Sequence, residues 1–186
     1  MSGRGGPGAP ENHRLFFASW PTDEHRAELG RTLPKIEWAS GGRRVPVASY
    51  HLTLAFLGGV PSARLDTVCQ AADKVRASAF DLAFDRIEYW PKPRVLCLVA
   101  STLPDAAHTL VRELWRVLVR AGFTQDVRPF KAHMTLARKL ERPPPDHTID
   151  PIPWRVDRFA LIESSNTTDG PVYTPLAFWL LTSSST

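Results

Sequence analysis

Cysteine is scarce: the 186 residues hold two, Cys69 and Cys97. They form no CxxC pair and fall in stretches that read as a helix and a strand. That excludes a disulfide-stapled scaffold and a cysteine-built metal site, and leaves buried, reduced thiols as the expectation. No apolar run approaches the roughly 18 to 20 residues that cross a bilayer, and no apolar segment of the secretory kind stands at the start. A soluble, cytoplasmic protein is therefore expected, with no membrane partner. Large apolar side chains are nearly missing from residues 1–12, MSGRGGPGAPEN, which are rich in Gly and Pro. Such a stretch cannot offset the entropy of ordering and reads as a disordered tail, ahead of one domain over residues 13–186. An acidic excess is missing too: 23 Lys and Arg against 19 Asp and Glu give a net charge of +4. That balance suits an anionic partner without identifying it.

What is present is 43% apolar residues, enough for a real core. RLFFASW reads as a strand, and the next stretch as a helix capped by Thr22 with Asp23 and Glu24 in its first turn. SYHLTLAFLG, residues 49–58, is a second strand, and residues 62–79 carry apolar positions at helical spacing. Two strand-like runs come next, near 82–90 and 94–100, the second apolar throughout and so central. A helix starts at Pro104 and stops at Gly122, and KAHMTLAR begins another strand. A Pro-rich loop over 143–153 leads to two last strands, WRVDRFALIESS and VYTPLAFWLL. The order gives an α+β fold with antiparallel-rich sheets, helices outside and two similar lobes in one unit.

His-x-Thr-Leu-Ala occurs twice, at His51 and at His133. On a strand, alternate side chains share a face. His51 and Thr53 therefore point one way, with Leu52, Leu54 and Phe56 the other; His133 and Thr135 likewise oppose Met134 and Leu136. Packing would repeat the apolar positions but has no reason to repeat the polar ones. If the lobes face each other, two His-Thr pairs line one cleft. Two imidazoles suit phosphodiester chemistry: the neutral ring takes a proton from the attacking oxygen and the charged ring gives one to the leaving oxygen. Threonine hydroxyls bind the non-bridging oxygens, and no metal or cofactor is required.

The other polar candidates are weaker. His13, His25, His108 and His147, with Cys69 and Cys97, lack the short spacings of a zinc site. Trp20, Trp115, Trp154 and Trp179 read as core, as does Trp90, which beside Pro91 at a strand end also reads as a base-stacking platform.

RLFFA, HLTLAFLG, RPFKAHMTLAR, LIESS and YTPLAFWLL, spread over residues 14–181, resemble the two-histidine phosphoesterase superfamily. Within it they are similar to the bacterial and archaeal RNA 2',3'-cyclic phosphodiesterases, also called 2'-5' RNA ligases. The resemblance implies a bilobal duplicated fold with the active cleft between the lobes. It implies hydrolysis of RNA ends bearing a 2',3'-cyclic phosphate to a 2'-phosphomonoester, and the reverse ligation that makes a 2'-5' bond. Carried over, His51 is the proton donor and His133 the acceptor. The family's arginine beyond the second threonine falls on Arg138, and Arg128 is a second phosphate-binding candidate beside Thr53 and Thr135. Strict alternation turns Arg138 away from the phosphate, unless a bulge, the strand end or its length brings it back. Ala132 stands where relatives often have proline. A monomer is the default. Rival readings are a phosphodiesterase for a small cyclic or 2'-5' linked nucleotide, and a non-catalytic RNA-binding domain.

Overall fold

The computed structural model, which describes residues 12–33, 42–126, 128–145, 148–168 and 170–183, has three α-helices set among ten strands in those residues. They run β1 (Asn12–Ser19), α1 (Asp23–Thr32), β2 (Arg43–Arg44), β3 (Leu52–Pro61), α2 (Leu65–Ala72), β4 (Phe80–Phe84), β5 (Arg86–Trp90) and β6 (Val95–Val99). Then come α3 (Asp105–Arg120), β7 (His133–Arg138), β8 (Ile152–Val156), β9 (Arg158–Thr167) and β10 (Gly170–Leu180). One sheet has the order β10-β9-β1-β3, a second β2-β7-β6-β5, and β4 pairs with β8. All these pairings are antiparallel, as an α+β fold requires. The two histidine strands β3 and β7 belong to different sheets and approach one another across the molecule.

Local chemistry explains the boundaries. Thr22 Oγ1 accepts from the His25 N–H at 3.2 Å, and Asp23 and Glu24 occupy the first turn of α1. Helix α3 buries Leu110, Leu114 and Leu118 completely and ends before Gly122, whose φ of +83° suits a residue without Cβ. Strand β6 is buried on both faces: Leu96 and Leu98 join the main core, while Val95, Cys97 and Val99 form a smaller cluster with Trp90. The main core joins both sheets, from Phe17 and Leu161 in one to Leu98 and Met134 in the other.

Several boundaries differ from the sequence reading; the strand expected over 49–58 runs Leu52–Pro61, and β8 starts at Ile152 inside the expected Pro-rich loop. The helix expected over 62–79 stops at Ala72, because beyond it the Thr182 N–H donates to Ala77 O and Ala79 N–H to Thr182 O. Its backbone is recruited by the C-terminal segment. The run at 82–90 begins earlier, at Phe80, and breaks at Asp85, whose carboxylate accepts the Ser101 N–H at 2.9 Å; β4 and β5 then join different sheets. The run at 154–165 breaks at Asp157, whose carbonyl accepts the Leu181 N–H. Asn12, assigned to the tail, opens β1 opposite Pro61. Residues 1–11 and His147 lie outside the described residues. No helix among the described residues is long and apolar enough to cross a membrane.

Candidate active site

Each histidine strand breaks its alternation at the same place. Between β1 and β3 the register passes from Ala55 to Thr53 and skips Leu54; between β6 and β7 it passes from Ala137 to Thr135 and skips Leu136. A bulge puts two consecutive residues on one side and re-aims the side chains beyond it. Leu54 and Ala55 are both buried, as are Leu136 and Ala137. Phe56 and Arg138 are thereby turned onto the face of the histidines. That corrects the expected inward Phe56, which is 43% exposed, and resolves the direction of Arg138.

A cleft of about 910 Å³ lies between the sheets, lined by His51, which directly precedes β3, by Thr53 and Phe56 from β3, and by His133, Thr135 and Arg138 from β7. The six sequence candidates therefore meet in one place, Arg128 included. Arg128 differs from the others in being 84% exposed, with its guanidinium held by Asp126, whose carboxyl is pushed down to about 2 by that contact. Phe56 is a site residue that the strand pattern does not announce. Its only signal is its place five residues after His51, matching that of Arg138 after His133. Arg14 lies over its ring at 4.9 Å.

The two imidazoles are held alike. His51 Nδ1 is 2.7 Å from Ser49 O, and His133 Nδ1 is 2.8 Å from Lys131 O. A carbonyl only accepts, so Nδ1 carries the hydrogen in both, and Nε2 is the nitrogen left to exchange a proton. A tryptophan then backs each ring. Trp20 stacks on His51 at 5.7 Å and 26°, and Trp90 meets His133 at 4.7 Å. Phe16 and Tyr173 close on His51, each at 5.0 Å. Trp90 is thus tied to His133, and its Nε1 donates to Glu88, which also accepts from Lys131 Nζ. It lines the cleft as part of a network rather than as a bare platform.

Burial disfavours the charged form of both rings. It pulls His51 down to about 4, opposed by the bond to Ser49 and reinforced by Arg138, His133 and Arg26. His133 is lowered for the same first reason, with Lys131 and Arg138 adding to it. The Cys97 thiol, opposite Thr135, is pushed up to about 12 by burial and is a packing residue beneath the site. Both cysteines are free, Cys97 buried and Cys69 partly exposed.

The remaining histidines lie elsewhere. His13 pairs with Glu163 at 2.6 Å and stands 3.0 Å from Ser62 Oγ, while His25 and His108 sit on α1 and α3. Among the described residues no group of three or more His, Cys, Asp or Glu side chains is arranged to hold a metal ion.

Comparison with known proteins agrees with this geometry. The family model of LigT-like phosphoesterases matches residues 20–97. The RNA 2',3'-cyclic phosphodiesterase of Escherichia coli K12 is 32% identical over 92% of this chain and 98% of its own. That of Thermus thermophilus is 34% identical over 88% of this chain and 87% of its own. The crystal structure of E. coli LigT complexed with 3'-AMP superposes with a TM-score of 0.76 over 92% of this chain and 99% of that one. Identity at this level across nearly full length, with the same fold, means that the chain belongs to the LigT-like phosphoesterase family.

Proposed function

We propose that the protein is an RNA 2',3'-cyclic phosphodiesterase that opens the terminal cyclic phosphate to a 2'-phosphomonoester by metal-independent acid–base catalysis. The observation that carries this reading is the pair of bulged His-x-Thr strands, one from each sheet, facing a single cleft. The names of the E. coli and Thermus relatives support the substrate class.

In this mechanism His133 Nε2 takes a proton from water as its oxygen forms a bond to phosphorus. The P–O3' bond breaks on the opposite side, and His51 Nε2 delivers a proton to the departing 3'-oxygen. Each transfer contributes about 10² to 10⁴ in rate. The Thr53 and Thr135 hydroxyls donate to the non-bridging oxygens, and Arg138 balances the charge that builds on them. A 5'-hydroxyl in place of water gives the 2'-5' bond of the ligation. As donor, His51 must be charged, whereas its burial favours the neutral form. An entering phosphate anion raises its proton affinity and resolves that conflict.

The test is incubation with a short RNA ending in a 2',3'-cyclic phosphate, with and without EDTA, followed by product analysis. The expected product keeps its phosphate on the 2'-oxygen and is formed at the same rate with EDTA. A 3'-phosphate product, or loss of activity with EDTA, overturns the mechanism. Faster turnover of the cyclic mononucleotide than of the RNA shifts the substrate to a small nucleotide.

A further inference from the structure

His51 and His133 are held alike in front and differently behind. The cation over Trp90 is Lys131, half exposed and paired with Glu88 at 2.6 Å, so its charge is offset within the site. The cation over Trp20 is Arg26, at 4.5 Å from the ring. Its side chain is 8% exposed, and among the described residues its one ion pair runs through Nη1 to Asp23, a carboxylate wholly in solvent. Nε and Nη2 are buried and bonded to nothing among the described residues. Trp20 follows Ser19, whose registered partner is Leu52, so the indole falls opposite His51. Guanidinium, indole and imidazole form one column, and Arg158 Nε donates to the Trp20 carbonyl at 3.3 Å beside it.

The charged groups acting on His51 come from two elements, Arg138 and His133 on β7 and Arg26 on α1, and each is or becomes positive. From β10 the ring of Tyr173 closes its edge. We propose that Trp20 and Arg26 are positioning residues for His51: the indole sets the plane of the imidazole, and the buried guanidinium is a fixed positive charge that a phosphate anion must offset before the ring takes up a proton. His51 is then charged when a phosphate fills the cleft and neutral when water does, which limits protonation to the loaded site. The proposal rests on the reading of His51 as proton donor for its catalytic use, while its electrostatic part is measurable without turnover.

The experiment follows the His51 Cε1 proton by NMR during a pH titration of the ligand-free protein. Arg26→Met keeps the stacking bulk and removes the charge; the His51 midpoint is expected to rise by about half a pH unit, since Arg138 and His133 act on the ring more strongly. Arg26→Lys keeps the charge and the wild-type midpoint. Asp23→Asn, at a side chain wholly in solvent, removes the countercharge and lowers the midpoint. Inorganic phosphate raises the wild-type midpoint toward that of ligand-free Arg26→Met. An unmoved midpoint in Arg26→Met overturns the proposal; should that variant fail to fold, an unmoved or raised midpoint in Asp23→Asn does so. For the indole, Trp20→Leu is expected to lower kcat about tenfold at unchanged KM, because the anion contacts remain while the ring loses its orientation. A raised KM at constant kcat overturns the orienting role. If His51→Ala keeps wild-type turnover while Arg26→Met still moves the midpoint, the donor reading falls and the electrostatic one stands.

Discussion

Leu54 and Leu136 are each the unpaired residue of a bulge, one residue after the threonine of its histidine strand. Both are buried, at 4% and 3% exposure, so the core fixes each bulge in place. The irregularity is duplicated along with the motif, and its effect differs between lobes. It delivers an aromatic face, Phe56, to one wall of the cleft and a guanidinium, Arg138, to the other. A site with two similar imidazoles acquires polarity this way. The guanidinium stands on β7, and the π-surface on β3.

Arg138 is therefore expected to matter far more than Arg128. Arg138→Ala should lower kcat/KM for a cyclic-phosphate substrate about 10² to 10³-fold, with partial recovery in Arg138→Lys, which keeps the charge but not the planar fork. Arg128→Ala should cost less than about threefold, because that guanidinium is exposed and already held by Asp126. Steady-state kinetics on the three variants decide it, and equal losses at the two arginines would contradict the bulge argument.

Phe56 yields a prediction of a different kind. A base stacked on an aromatic ring contributes about 1 to 3 kcal/mol, measured by alanine substitution. Phe56→Ala should raise KM between about five- and 150-fold and leave kcat near the wild-type value, since a phenyl ring carries no proton to transfer. A collapse of kcat at unchanged KM would show that Phe56 supports the strand instead.

How far the sequence reaches is clearest at these residues. His51, Thr53, His133 and Thr135 are legible because polar positions repeat on a strand pattern, and the period of two puts each pair on one face. The same rule misplaces Phe56. Nothing in Leu-Ala announces a bulge, and a single unpaired residue reverses every side chain beyond it. Arg26 and Trp20 are illegible as site residues for another reason. A helical arginine with an acidic residue three positions earlier reads as a surface ion pair, and only its tertiary seat over the Trp20 ring shows it buried. The breaks at Asp85 and Asp157 depend on Ser101 and Leu181, distant partners that local pattern does not reveal.

The backs of the histidine strands anchor the site. Leu52 and Met134, each adjoining an imidazole of the cleft, are fully buried in the main core. Leu52→Ala and Met134→Ala should each destabilise the protein by about 2 to 5 kcal/mol. Urea unfolding reads this directly. His51→Ala and His133→Ala, at half-buried rings facing the cleft, should instead abolish most turnover, about 10² to 10⁴-fold each, while the fold persists.

The depressed proton affinity of His51 also makes stability pH-dependent. Folding lowers its pKa from near 6.5 to about 4, so between those values the unfolded chain binds a proton that the folded protein does not. Stability then rises with pH across that window. Above pH 6.5 both states are neutral at this residue, and it exerts no pull. As pH falls toward 4 the folded state is progressively disfavoured, and His133, shifted in the same direction, adds to the loss. Urea midpoints at about pH 7 and about pH 4.5 should therefore differ more in the wild type than in His51→Gln, which cannot titrate. An equal acid loss in the two proteins would place the acid sensitivity in other groups, and would mean that the ring is far better solvated than the stack of Phe16, Trp20 and Tyr173 around it implies.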